Sequence, residues 1–221
     1  VKARTILAPM ALSLLLAPFL AGCVTGRPLV LPKESIRPGT CEAGAAAPPS
    51  VAGLVVAVRD FHPADREEAE VGRDYDNVRP VRFPGNPGKT YADIFARVLS
   101  DRGWTVRRIA AGEAAPAGAL VVSGTLVEFR ADVKRPWFLK VETAARVSVD
   151  MRVEGGPLAS PWTGNVVADV WSPQAFFVNP EKAGSALSDA SCAAAGEGVD
   201  RLARLLQSSP AGVPPATNPA R

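Results

Sequence analysis

The chain has 221 residues, of which 47% are hydrophobic and 21% charged, with 21 prolines, three cysteines, one histidine and a formal charge of +3. Lys2 and Arg4 fall in residues 1–22, a stretch without Asp or Glu, so the rest of the chain holds 23 basic and 22 acidic residues, a net of +1. That balance carries no argument for a nucleic-acid partner, and about 200 residues suffice for one domain with a real core and flexible ends.

The first feature in chain order is a cationic start, Lys2 and Arg4, followed by the apolar run Ile6–Phe19 and then Leu20-Ala21-Gly22-Cys23. A spanning helix needs roughly 20 apolar residues to cross about 30 Å of hydrocarbon. This run is shorter and is interrupted by Pro9 and Pro18. Short length, a cationic start and small residues before a cleavage point mark a removable export segment. Leu20–Cys23 resembles the lipobox of a bacterial lipoprotein signal, which implies cleavage before Cys23, acylation of its thiol and a membrane anchor. One acyl chain holds a protein only marginally, at about 0.8 kcal/mol per buried CH₂. The three chains typical of such lipoproteins make the anchor effectively permanent. Val24, where Asp would retain an enterobacterial lipoprotein in the inner membrane, implies the periplasmic face of the outer membrane. Once Cys23 is acylated, Cys41 and Cys192 remain in an oxidising compartment, where disulfides form and persist. They are expected to pair, the alternative being a small buried Cys192 and a loose Cys41.

Residues 23–50, rich in Pro, Gly and Ala, read as an extended tether. Order is expected over 51–208. Val51–Val58 is a short apolar run that suits a strand buried on both faces. Phe61–Lys89 is charged and broken by Pro63, Pro80, Pro84 and Pro87, and it reads as a long binding loop. Thr90 can cap a helix whose Tyr91, Ile94, Phe95, Val98 and Leu99 share one face, with Gly103 ending it. Strands follow at Trp104–Ile109 and Ala119–Phe129. The clearest signal is Leu139–Glu154, where Val141, Ala145, Val147, Val149, Met151 and Val153 alternate with polar residues and Thr143 holds the one polar place on the apolar side. A period of two with one wet face fits an antiparallel sheet. Gly155-Gly156-Pro157 turns the chain into Trp162–Trp171. A final helix is expected over about Ser185–Gln207, with small residues Ala193–Gly198 allowing close packing, and a disordered Pro/Ala tail over 209–221.

These elements predict an α+β fold: a mostly antiparallel, twisted sheet with two helices packed on its apolar face and the other face solvated. The lipobox, Val55-Val-Ala-Val-Arg-Asp-Phe, Leu99-Ser-Asp-Arg-Gly-Trp-Thr-Val and Ser123-Gly-Thr-Leu-Val-Glu-Phe, followed by an amphipathic strand and a terminal helix, together resemble the YajG-like bacterial lipoproteins over about Val51–Leu206. The order is also similar to the auxiliary lipoproteins of lipid-transporting ABC systems. The first resemblance implies no particular activity; the second implies an accessory role in moving lipid. Neither implies a cofactor or catalytic residues.

Chemistry-bearing groups are sparse. His62 leaves one imidazole for any metal. Asp60, His62 and Asp65 read first as a solvated strand-to-loop transition and only secondarily as a cation site. Asp74-Tyr-Asp-Asn77 lacks the Gly and terminal Glu of a calcium loop. Glu67 and Glu68 sit in a charge run, and Gly155-Gly156 and Pro84–Gly88 read as turns. The aromatics are the stronger signal: Trp137 and Phe138 precede the amphipathic strand, and Trp171, Phe176 and Phe177 follow its partner. They read either as a core edge under the last helix or as an apolar rim for a lipid tail or an envelope protein. The expected function is therefore a non-catalytic, membrane-anchored binding or accessory module of the cell envelope, with a lipid-binding role as the alternative.

Overall fold

The computed structural model describes residues 27–36, 41, 46–47, 53–62, 69–75, 78–137, 140–175 and 177–208. Residues 1–22, expected as a signal segment, and Cys23, Asp65, Glu67, Glu68, Phe138, Phe176 and the tail 209–221 lie outside them. In chain order the elements are β1 (Leu29–Val30), a single 3₁₀ turn (Lys33–Ser35), β2 (Val55–Val58), β3 (Ala69–Asp74), β4 (Arg79–Phe83), α1 (Pro87–Asp101), β5 (Thr105–Arg108), β6 (Leu120–Trp137), β7 (Lys140–Gly155), β8 (Trp162–Ala175) and α2 (Pro180–Ser208). The fold is α+β, as its sequence pattern predicts: one open, mixed eight-stranded sheet, with both helices packed on one side.

The spine of the sheet is the antiparallel meander β6–β7–β8. Along β7 the period-two pattern is realised: Val141, Ala145, Val147, Val149, Met151 and Val153 are buried, and Thr143 sits fully buried among them. The far edge of β6 is shared by two smaller groups of strands. Its first half pairs in parallel with β2 (Val56↔Leu120), beyond which β5 lies parallel to β2. Its second half meets β3 (Asp74↔Val133), followed by β4 and β1.

β6 is longer than the expected Ala119–Phe129. A bulge between Leu126 and Glu128 inserts one residue, so the core-facing positions shift from Leu120, Val122 and Leu126 to Phe129, Ala131 and Val133. One inserted residue exchanges the two faces of a strand. The alternation therefore continues to Val133 in the opposite parity, ahead of the exposed Lys134, Arg135 and Pro136.

The passage Phe61–Lys89, expected as a loop, contains the hairpin β3–β4. Gly72 makes the join to β6 possible. Its φ is 151°, and a Cβ there would collide with the carbonyl of Ala131. Gly72→Ala should therefore cost about 1–3 kcal/mol in backbone strain alone. Thermal melting of the variant checks this, and an unchanged midpoint would show that β3 can withdraw from β6 without penalty.

Both helices begin earlier than expected, each at an Asn-Pro pair. The Asn86 side chain accepts a hydrogen bond from the Lys89 N–H at 2.9 Å, with Pro87 at the first helical position. The Asn179 side chain accepts from the Glu181 N–H at 2.8 Å, ahead of Pro180. Proline suits that position because its missing N–H would be unsatisfied there in any case. Thr90 consequently lies inside α1 and does not cap it. Tyr91, Ile94, Phe95, Val98 and Leu99 are buried against the sheet and α2. The small residues of α2 allow close approach: a Cβ at Gly198 would sit 2.8 Å from the Met151 sulfur and 2.9 Å from the Phe95 ring. Arg102, at the end of α1, donates to Asp200 at 2.6 Å and to the Gly196 carbonyl at 3.2 Å, joining the two helices.

The segment expected as tether is in part structural. Leu29, Leu31 and Ile36 are buried, and the Leu31 N–H donates to Arg82 at 2.8 Å. Cys41 is disulfide-bonded to Cys192 of α2 with a Cα–Cα distance of 5.0 Å. Apolar side chains at alternating positions, too few to signal a strand in sequence, dock here because β4 offers an open edge. A second small core of Ala57, Ile109, Ala119 and Val121 lies apart from the main one, so the face away from the helices is not bare throughout. It is open over β6, β7 and β8.

Candidate docking face

Outward-facing residues of the meander are set by register. Three cross-strand rows run Glu128–Ser148–Val167, Arg130–Arg146–Asp169 and Asp132–Ala144–Trp171. Their charges are ordered. The Arg146 Nε donates to Glu128 at 2.5 Å, and its Nη1 lies 3.3 Å from Asp169 on the other neighbouring strand. The hydrogen bond to Glu128, followed by the charge of Asp169, raises the Arg146 pKa above its ordinary value. Arg130 contacts Asp132 at 2.8 Å and donates to the Tyr75 hydroxyl at 3.0 Å. The Lys134 ammonium lies 5.5 Å from the centre of the Tyr75 ring, within the range of a cation–π contact.

Against this ionic lattice stand exposed apolar groups. Trp171 is 64% exposed, Tyr75 48%, Val127 54% and Val167 41%. Tyr75, Asp132, Ala144, Arg146 and Trp171 line a shallow groove of about 260 Å³. Toward the other end of the same face lies a larger groove of about 650 Å³, bordered by Arg59, Asp60, His62, Thr125, Arg152 and Asn165. Asp60 is ion-paired to Arg108, which also contacts Asp93 at 2.9 Å and the Val58 carbonyl at 2.6 Å. Asp74 is fully buried and bonded to Arg79 at 2.7 Å, which makes it a hairpin brace. Among the described residues no three His, Cys, Asp or Glu side chains converge as metal ligands. No helix among them is long and apolar enough to cross a membrane.

Of the aromatics singled out in sequence, the structure describes the side chains of Trp171 and Phe177. Trp137, whose backbone pairs with Lys140, and Ala175, which pairs with Lys140 from the other side, bring the strand ends to one end of the sheet. Trp171 lies on the open face, and Phe177, 80% exposed, follows β8 at that end. Neither is covered by α2, as a core edge would be. Tyr75 was missed in sequence because it lies in the hairpin read as loop; its signal was the alternation of Ala69 and Val71 with charged residues just before it.

No family model matches the chain, and no curated protein matches it. Among solved structures, a protein from Xanthomonas campestris described under the family DUF330 is similar at 12% identity, covering 75% of this chain and 94% of that one with a TM-score of 0.48. A protein described only as uncharacterized matches at 11% identity, 75% and 95% coverage and a TM-score of 0.47. A protein from Caulobacter crescentus CB15, described as a lipoprotein, matches at 21% identity, 54% and 79% coverage and a TM-score of 0.32.

Proposed function

We propose that this protein is a non-catalytic binding module of the cell envelope, acylated at Cys23, held at the periplasmic face of the outer membrane and docking an envelope protein on the open face of β6–β7–β8. The observation that carries this reading is the face itself. Exposed Trp171, Tyr75, Val127 and Val167 stand among charges already fixed by Glu128–Arg146–Asp169 and Arg130–Asp132. Apolar anchors inside an ordered polar surround are the composition of recognition surfaces, and side chains held in place before binding lose less entropy on association. The disulfide supports an exported protein, and the lipobox supports the anchor. An acyl-chain carrier, the other role implied by the resemblance, would need an enclosed apolar channel. The grooves on this face are open and bordered by charged and polar side chains, which favours protein docking.

The anchor is tested by mass. Wild-type chain extracted from envelopes should carry acyl mass on Cys23, and Cys23→Ser should accumulate as an unprocessed chain without it. An unmodified Cys23 in the wild type, or a correctly cleaved and released Cys23→Ser product, removes the anchor from the reading.

A further inference from the structure

The strand directions decide where the anchor leaves the fold. β1 runs parallel to β4 with Leu29 opposite Val81. β4 starts at the β3–β4 turn, and Asp74 just before that turn is registered with Val133 of β6. The chain preceding Leu29 therefore points toward the end of the sheet where β6 terminates, β7 begins and β8 terminates. Cys23 is six residues before Leu29, a reach of at most about 20 Å when extended. Across this end β1, β4, β3, β6, β7 and β8 lie side by side, spanning roughly 24 Å at about 4.8 Å per strand. An acyl group on Cys23 thus holds the β1 corner of this end within about 20 Å of the bilayer surface, from where the rest of the end can reach the same surface.

The same end has the chemistry of a membrane interface. Phe177 is 80% exposed and Val78 86% exposed. Val78 also holds a φ of 47° at the hairpin turn, a conformation that β-branched residues rarely adopt. Around them lie the exposed cations Arg27, Lys134, Arg135 and Lys140. The described acidic groups nearby are ion-paired, Asp74 with Arg79 and Glu142 with Lys140, so Lys140 meets a phosphate in exchange for Glu142. Apolar tips flanked by Lys and Arg are the arrangement that settles at an anionic headgroup layer.

We infer that this end of the sheet is a second membrane contact: Phe177 and Val78 enter the headgroup region of an anionic bilayer while Arg27, Lys134, Arg135 and Lys140 meet its phosphates. The inference rests on the anchored reading and adds an orientation to it. The strands stand end-on to the membrane, and the open face looks sideways into the periplasm, clear of lipid.

The test uses the full acylated chain, reconstituted through its anchor into vesicles of phosphatidylethanolamine and phosphatidylglycerol. Phe177 is replaced by a photo-reactive benzophenone amino acid in one variant, and exposed Ser160, at the opposite end of the sheet, in another. Lipid capture at 177 is expected to exceed that at 160 about tenfold, and to fall about tenfold when Arg135→Glu and Lys140→Glu are combined or when phosphatidylglycerol is left out. Equal capture at both positions, or capture indifferent to charge, would overturn it. Acyl mass on Cys23 is read from the same sample. If it is missing, the anchor has failed independently, and the same chain added to the vesicles from solution still reports whether this end binds lipid.

Discussion

Loss of the Cys41–Cys192 bridge should lower the stability of the domain by about 4–5 kcal/mol, the chain-entropy value for a closed loop of this size. The two residues are 151 positions apart, so the bridge constrains most of the unfolded chain. For a domain of this length each kcal/mol corresponds to roughly 2–4 °C, which puts the expected drop in Tm at roughly 10–20 °C. The N-terminal segment should feel the loss first. Leu29 and Leu31 dock along the short pairing with β4, the Lys33–Ser35 turn lies against α2, and the Ala47 N–H donates to the Arg102 carbonyl at 2.7 Å; the bridge holds this strap against α2. Thermal melts of oxidised protein, reduced protein and the Cys41→Ser, Cys192→Ser double variant measure the effect. A shift below about 2 °C would show that native contacts alone fix the strap.

Trp171→Ala should weaken docking by about 2 kcal/mol or more, a loss of roughly thirtyfold in affinity, if Trp171 is the apolar anchor of the open face. Its melting temperature should stay near that of wild type, because the side chain is 64% exposed and removing it leaves no cavity in the core. Arg146→Ala should act on the same interface by a different route, releasing Glu128 and Asp169 from one guanidinium that now orders both. Isothermal titration of each variant with the docked protein, beside its melting curve, separates the two effects. A large fall in Tm for Trp171→Ala with binding intact would make that side chain structural.

Much of the architecture was legible because β7 obeys its period without interruption, down to the single polar position at Thr143. Where the reading fell short, a local device hid the pattern. In β6 the bulge at Leu126–Glu128 exchanged the faces, so an alternation continuing through Ala131 and Val133 looked like its own end. In β3–β4, Gly72, Pro80 and the three arginines Arg73, Arg79 and Arg82 masked the inward series Ala69, Val71, Val81 and Phe83. Asn86-Pro87 and Asn179-Pro180 read as breaks because proline excludes a helix interior, yet it suits a helix start. β1 could not be read at all: two residues have no period, and that segment is placed by partners remote in sequence, β4 and Cys192 among them. The cysteine pair was visible from compartment and count. Trp171 was visible from its strand, whereas Tyr75 joined it only once β3 was known to meet β6 at Val133.

The docking face is tested most directly by photo-cross-linking in intact envelopes, with a benzophenone amino acid at Val167 on the open face or at exposed Arg204 on α2. Capture of one discrete envelope protein from position 167, lost on adding Trp171→Ala and absent from position 204, is the result predicted. Capture from 204 alone, equal capture from both, or capture at 167 that survives Trp171→Ala would contradict it.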